Sequence, residues 1–338
     1  MHTPFRHDAH STPYPSPLSV AYVDASQYPS VLADERVFAV IGFAGQPHPS
    51  IDDQRFFTVG LPTAGAGHTL EVWRSAVTPY IREDKGLVLA STDELLFARL
   101  ELDETQYTDL DAATYDAYRR IRIAVEQQGY PYLLRVWNYF PGINQPQRGL
   151  ERYRAFCQGR YRALANTASD FEITLPSACA IGSREPGLLI YLLAAKQPGV
   201  QIENPRQVSA FRYPPQYGPK SPSFSRAVLK QWQEESHLYV SGTASIVGHI
   251  SQHAGDPLAQ LDETLINLDA LLTHASRYLD APVRLAMLKA YARPELDASA
   301  VQQRLVERLG ADLPQLVLLG DICRQDLLLE VEGLGISV

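Results

Sequence analysis

Short apolar runs, each closed by Gly, Pro or Asp, recur along this chain, and that punctuation restricts what it can fold into. The longest run, Leu188–Ala195 (LLIYLLAA), falls far short of the ~18–20 residues that span a bilayer. Runs of this length, rich in β-branched or aromatic residues, favour strands. They are VFAVIGFA (Val37–Ala44), RFFTVGLP (Arg55–Pro62), TLEVWRS (Thr69–Ser75), KGLVLASTD (Lys85–Asp93) and LLFARLELD (Leu95–Asp103). From Asp111 to Gln128 the period changes. Leu110, Tyr115, Tyr118, Ile121 and Val125 fall near a helical stripe, and Gly129 stops it. YLLRVWNYF (Tyr132–Phe140) returns to strand.

The second half repeats this logic. A helix is expected from Gly149 to about Ala168, then strands at EITLPSACAIG and GLLIYLLAA and a Pro-rich loop from Asn204 to Ala227. Strand HLYVSGTAS follows, then a helix from Pro257 to about Arg277 with Leu258, Leu261, Leu265, Leu268 and Leu272 on one face. Strand VRLAMLKAYAR, helix Ala298–Leu309 and strands LPQLVLLGDI and DLLLEVEGLGI complete the chain. Alternation of this kind, twice over, predicts an α+β protein of two side-by-side mixed α/β domains. Pro141, Gly142, Asn144, Pro146 and Gly149 read as the linker. The expected organisation is a flexible arm over 1–17, an N-terminal domain over 18–148 and a C-terminal domain over 149–338 that carries most active-site residues.

Composition excludes several functions. With 338 residues, 45% of them hydrophobic, the chain can bury a sizeable core. Its 30 Lys and Arg against 38 Asp and Glu, a net charge of −8, make it a poor nucleic-acid or anionic-membrane binder. A local arginine pocket for a small anion needs no global positive charge. Cys157, Cys179 and Cys323 are scattered and form no C-x-x-C pair, which reads as free thiols in a reducing compartment. The N-terminus lacks the apolar centre of a secretory signal, so a soluble, cytoplasmic protein is expected. Walker, G-x-G-x-x-G, G-x-S-x-G and H-E-x-x-H motifs are missing from the sequence. His249 and His253 are four apart, but the Gly and Ser of GHISQHAGD indicate a loop, and ordinary hydrogen-bonded histidines are expected rather than metal ligands.

Two segments have the residue types for chemistry. The long loop gathers Arg212, Tyr213, Tyr217, Lys220, Ser221, Ser223 and Arg226 among stiffening prolines. Cations and phenols together suit a carboxylate-bearing ring, although a rigid surface connector would read the same way. In GDICRQDLLLEVEG, Glu330 interrupts an apolar strand. If buried, its carboxyl has a raised pKa and suits a general acid; in an edge strand it would be one of two exposed acids. Cys323 reads by composition as a small buried hydrophobe.

YPPQYGPKSPSFSRA, VSGTASIVGH, QLDETLINLDALL and GDICRQDLLLEVEG together resemble the chorismatases, and FCQGR, SACAIG and ENPRQVSAFRYP extend the resemblance back to about Arg152. VSGTAS, Gln260, Asn267, KAYAR and LEVEG also resemble the small trimeric reactive-intermediate deaminases, to which the chorismatase fold is related. The resemblance implies cleavage of the enolpyruvyl ether of chorismate without metal or other cofactor. The implied products are pyruvate and mainly 3-hydroxybenzoate, with 4-hydroxybenzoate added in one branch and a dihydroxycyclohexadiene acid made by a water-using branch. It implies that Glu330 is catalytic and that Cys323, seven residues earlier, marks the hydroxybenzoate branch. Ala244 stands where that branch has glycine and matches the water-using branch. Arg226, Arg293, Tyr213, Tyr217, Lys220 and Arg160 are expected to hold the two substrate carboxylates, and Arg293 reads equally as a surface cation beside a helix. The expected partner is chorismate alone, with the protein a monomer or weak oligomer. An imine or enamine deaminase and a non-catalytic ligand-binding module are the competing readings.

Overall fold

The computed structural model describes residues 17–46, 53–65, 67–165 and 171–338. The arm expected over 1–17 lies, apart from Pro17, outside the described residues. The first unit contains β1 (Leu18–Asp24), α1 (Tyr28–Ala33), β2 (Val37–Ala44), β3 (Phe56–Pro62) and β4 (Thr69–Ser75). The second begins with β5 (Tyr80–Asp84), β6 (Leu87–Ser91), β7 (Leu95–Leu102), α2 (Leu110–Gln127) and β8 (Tyr132–Pro141). The two-residue strands β9 (Pro146–Gln147) and β10 (Leu150–Glu151) precede α3 (Arg152–Ala165), β11 (Ser177–Ser183) and β12 (Leu188–Ala195). The third unit opens with β13 (Val200–Ile202), β14 (Ala227–Gln231), β15 (Ser236–Thr243) and the small hairpin β16 (Ile246–Val247) and β17 (Ile250–Ser251). It ends with α4 (Pro257–Ala275), β18 (Arg284–Ala292), α5 (Ala298–Leu309), β19 (Gln315–Leu319) and β20 (Leu329–Ser337).

Among the described residues three sheets have more than two strands, with strand orders β1-β4-β2-β3, β11-β8-β12-β7-β6-β5 and β13-β14-β15-β20-β18-β19. The second and third have the same connectivity: three consecutive antiparallel strands, a helix, a strand, a helix, a parallel edge strand, and a last strand that returns to the sheet centre. β12 inserts between β7 and β8, and β20 between β15 and β18. The boundary expected at 148/149 therefore falls inside a sheet. β11 and β12 satisfy the backbone groups of β7 and β8, so the division between the repeated units lies after Ala195. The Pro- and Gly-rich stretch is a turn and the short β9–β10 ribbon, in which Gly142 and Gly149 take positive φ.

Other elements differ from the expectation in detail. Residues 171–173 form a 3₁₀ turn instead of strand, and α3 begins at Arg152. β1, β5 and β14 were not legible as separate strands, being short or adjoining proline. Asp109, Asp256 and Asp297 cap α2, α4 and α5 by accepting backbone N–H bonds.

Helices α2 and α3 cover the outer face of the second sheet, and α4 and α5 that of the third. The inner faces of all three sheets share one core. At its centre lies a neutral set of four charges. Lys289 Nζ is 2.6 Å from Glu71 and 3.3 Å from Glu332, which also pairs with Arg135. Glu332 further accepts a 2.7 Å bond from Trp137 Nε1, and Glu71 a 2.8 Å bond from Trp73 Nε1. β4, β8, β18 and β20 supply these groups, so the network ties the three sheets into register. Removing one member would strand a buried charge, which typically costs about 3–5 kcal/mol. Among the described residues no helix is long and apolar enough to cross a membrane.

Candidate active site

A cavity of about 600 Å³ lies between the second and third units. Seven of the nine residues expected at a site line it: Glu330, Cys323, Tyr213, Tyr217, Arg226, Ala244 and Arg160. Lys220 does not; it is exposed, with Nζ 4.2 Å from the centre of the Tyr161 ring. Arg293 does not line it either. Its guanidinium is buried and committed to Asp321, Asn144 and the backbone carbonyls of Ile322, Arg324 and Leu327. It therefore holds protein where a substrate carboxylate was expected.

The long loop enters the interior because its polar groups find partners. Asn204 donates to the Asn267 carbonyl (2.8 Å), Gln207 to that of Ile246 (3.0 Å) and Ser225 to that of Leu175 (3.1 Å). Arg226 Nη2 donates to the Tyr213 hydroxyl (2.7 Å) and the Val208 carbonyl (2.9 Å). The Tyr217 hydroxyl donates to the His249 carbonyl (2.6 Å). Buried polar residues of α4 then pin the opposite wall. Asn267 Nδ2 donates to the carbonyls of Ala244 (3.0 Å) and Ile246 (2.9 Å), which fixes the GTAS segment. A Cβ on Gly242 of that segment would overlap the Glu330 carboxylate oxygen, so glycine leaves the room in which the acid sits.

Glu330 and Glu332 share the inner face of β20 and are held in opposite protonation states. Burial, reinforced by the Glu332 charge and opposed by Arg135 and Arg226, pushes Glu330 up to about 8. For Glu332, burial acts upward too, but Arg135 and Lys289 hold it below the ordinary carboxylate value. A pair of acids driven apart in this way supplies a neutral proton donor beside a fixed negative charge. The Cys323 thiol is pushed up to about 12 by burial and by Glu330, with Arg324 opposing, so at neutral pH it carries its proton.

The cavity wall is rich in uncommitted donors. Arg160 Nε and Nη2, Arg226 Nε and Arg324 Nη2 are buried and have no hydrogen-bond partner among the described residues. Arg324 also stacks on Tyr217, 4.0 Å from its ring centre, and on Tyr213, 5.0 Å away. Buried guanidinium N–H groups are costly to leave unpaired, and carboxylates match their fork geometry. The set thus suits an anionic ligand that bears more than one carboxylate.

Both histidines of the GHISQHAGD loop have protein partners. His249 Nδ1 is 3.1 Å from the Tyr217 hydroxyl and His253 Nε2 is 3.3 Å from Glu263. Both sit in turns, as the Gly and Ser around them indicated, and His253 has positive φ. Among the described residues no group of three His, Cys, Asp or Glu could hold a metal ion.

Sequence reasoning missed Tyr153, Arg154, Cys157, Cys179 and Arg324, all of which line the cavity. Tyr153, Cys157 and Arg160 are spaced i, i+4, i+7 on α3 and share a face. That spacing was a usable signal, whereas nothing local marks Cys179 or Arg324. All three cysteines of the chain, far apart in sequence, meet at this one cavity.

Comparison with known proteins bears on the same residues. Residues 71–194 match the family model described as chorismatase FkbO/Hyg5-like, N-terminal. A 3-hydroxybenzoate synthase of Streptomyces hygroscopicus is 35% identical over 276 residues, 78% of this chain and 80% of that protein. A chorismatase of Streptomyces rapamycinicus is 37% identical over 274 residues, 78% of this chain and 81% of that protein. A crystal structure of a chorismatase superposes with a TM-score of 0.85 at 33% identity, covering 94% of this chain and 98% of that one. A match over nearly the whole chain favours this family over the short deaminases as the source of the motifs.

Proposed function

The chain belongs to the chorismatase family, and from that premise we propose how its cavity residues divide the reaction. The protein is an enzyme that cleaves the enolpyruvyl ether of chorismate to pyruvate and 3-hydroxybenzoate. The observation that carries the assignment of roles is a carboxyl group, Glu330, kept neutral to about pH 8 in a cavity lined with unpaired arginine nitrogens.

Chorismate brings two carboxylates, and Arg160, Arg226 and Arg324 have free N–H groups to receive them. Tyr213 and Tyr217 shape the wall through their contacts with Arg226 and Arg324. Glu330 gives its proton to the enolpyruvyl methylene carbon, which makes an oxocarbenium-like centre. The ether C–O bond then breaks and its electrons go to the departing pyruvate. The 4-hydroxyl oxygen bonds to the ring carbon left behind, and its proton returns to Glu330. Atoms balance without water, and the ring retains a strained oxygen bridge. Cys323, protonated at neutral pH, donates to that oxygen as the bridge opens, and the ring proton then lost returns to the thiolate, which restores both aromaticity and the thiol. Positioned acid–base groups of this kind contribute typically about 10²–10⁴-fold.

A second reading, in which water attacks and the dihydroxycyclohexadiene acid forms, is favoured by Ala244, which lines the cavity. Incubation of the purified protein with chorismate, with pyruvate and ring products quantified by chromatography, tests both. Pyruvate with 3-hydroxybenzoate is expected. Pyruvate with only the non-aromatic acid would replace the first reading by the second, and no pyruvate at all would remove both. Cys323→Ala is expected to keep pyruvate release and shift product toward the dihydroxy acid. An unchanged aromatic share at lower Tm would make Cys323 a packing residue.

A further inference from the structure

We propose that Arg293 is a positioning residue for product selection: it clamps the loop from Gly320 to Leu328 and thereby fixes where the Cys323 thiol meets the ring. The inference rests on the reading of Cys323 as the late proton donor, and goes beyond it by naming what holds that donor in place.

The geometry is unusually concentrated. Arg293 Nη2 donates to the carbonyls of Ile322 (3.3 Å) and Arg324 (3.0 Å), the residues on either side of Cys323. Nε donates to the Leu327 carbonyl (2.8 Å) and Nη1 to Asp321 Oδ1 (2.9 Å). Nη2 also reaches Asn144 Oδ1 (3.0 Å), in the turn after β8, so the clamp bridges the second and third units. The Arg293 backbone N–H donates to the Leu328 carbonyl (3.0 Å). From the other side Gln260 of α4 closes the end of the loop: Nε2 donates to the Asp326 carbonyl (2.8 Å) and Oε1 accepts from the Leu328 N–H (2.8 Å). Asp321 is fixed further by a two-way backbone pair with Gly182 of β11.

A loop with no regular ladder of its own would otherwise move the thiol freely, because its own backbone bonds are few. Donation from a side chain is sensitive to displacement of about 1 Å. Glu330 lies on β20, whose ladders to β15 and β18 do not depend on this clamp. Loosening the loop should therefore leave the first proton donor in place, weaken substrate capture through Arg324 of the same loop, and weaken the second proton transfer. The bridged intermediate would then open more often to water.

Arg293→Lys keeps a positive charge but lacks the planar fork that spans carbonyls 322, 324 and 327. Its ratio of 3-hydroxybenzoate to dihydroxy acid is expected to fall about tenfold, the change that accompanies a shift of about 1.4 kcal/mol between the two exits. Pyruvate release at saturating chorismate should stay within about threefold of wild type by the same relation, while KM rises because Arg324 lies in the loosened loop. Leu305→Ala in α5, away from the cavity, serves as a variant with lowered Tm and intact clamp. An unchanged ratio in folded Arg293→Lys overturns the proposal, and so does an equal shift in Leu305→Ala. Should Arg293→Lys fail to fold, Asp321→Ala and Asn144→Ala each remove one partner, and a smaller shift in the same direction is expected. Unchanged ratios in both would then overturn the clamp. Cys323→Ala separates the layers: if it shifts the ratio and the clamp variants do not, the clamp alone fails. If Cys323→Ala leaves the ratio unchanged, the reading of the thiol fails and the clamp falls with it.

Discussion

The second and third units share one topology, yet their last strands have opposite chemistry. β12 and β20 each return to the centre of a six-stranded sheet and turn one face to the common core. On β12 that face carries Tyr191, stacked on Trp137 at 4.7 Å and tilted by 19°, with Leu189 and Leu193 beside it. On β20 it carries Glu330 and Glu332, opposite Tyr291 and Lys289 of β18. The comparison shows that the topology provides a dry inner face and leaves its use open. Filled with aromatic rings it is packing. Given two acids and one strong cationic partner set, it becomes a site with one neutral carboxyl and one charged one.

The sharpest test is to remove acid from the third unit alone. Glu330→Gln keeps shape and loses the proton, and turnover should fall about 10²–10⁴-fold in a folded protein. Retained turnover in that variant, measured as pyruvate release, would erase the distinction between the two strands. Gly242→Ala should come next. Its methyl would overlap the Glu330 carboxyl, and displacement of about 1 Å commonly costs about 10²-fold. Normal kcat/KM would mean that the acid has more freedom than its surroundings indicate.

Arg226→Ala and Arg160→Ala should act on substrate capture, since each deletes a charge-assisted donor worth roughly 1.5–3 kcal/mol. A raised KM with a smaller change in kcat is the expected pattern, and unchanged kinetics in both variants would place the carboxylates elsewhere.

Stability against pH offers a test independent of turnover. The folded state holds the Glu330 proton up to about pH 8, while an unfolded chain releases it near the ordinary glutamate value of 4.5. Between these limits the folded state binds more protons, so this residue makes stability fall as pH rises, by at most about 1.4 kcal/mol per unit. Tm of the wild type should therefore decline between about pH 5 and about pH 8 more steeply than Tm of Glu330→Gln. Parallel curves would mean that Glu330 ionises normally. In the same frame, kcat/KM should fall as pH passes about 8, because the proton donor is then lost.

The smallest effect is expected in the matched strand. Tyr191→Phe removes a hydroxyl 3.3 Å from that of Tyr139 and should cost about 1 kcal/mol of stability with turnover unchanged. A large loss of turnover would show that the aromatic face takes part in the chemistry.

Much of this was legible in the sequence. Runs such as VFAVIGFA and TLEVWRS match β2 and β4 end to end, and Ala298–Leu309 matches α5, because period and punctuation are local properties. Glu330 stood out as an acid in an apolar strand, and the loop from Asn204 to Ala227 as a cluster of cations and phenols. The 148/149 boundary misled because a turn and a linker use the same residues, and only strand pairing distinguishes them. Lys220 and Arg293 misled because a cation's direction depends on what packs around it.

Local sequence was enough to set the alternation of strands and helices, the α+β class, and an acid and a thiol seven residues apart near the C-terminus. Tertiary structure alone decided that Glu330 is neutral, that Arg160, Arg226 and Arg324 face one cavity while Arg293 grips a loop, and that three scattered cysteines meet. The reason is physical. Periodicity is written in neighbouring residues, whereas a protonation state is set by burial and by charges brought from afar. Arg135 lies 197 residues from the Glu332 it pairs with, and that pairing helps set the electrostatic environment of Glu330.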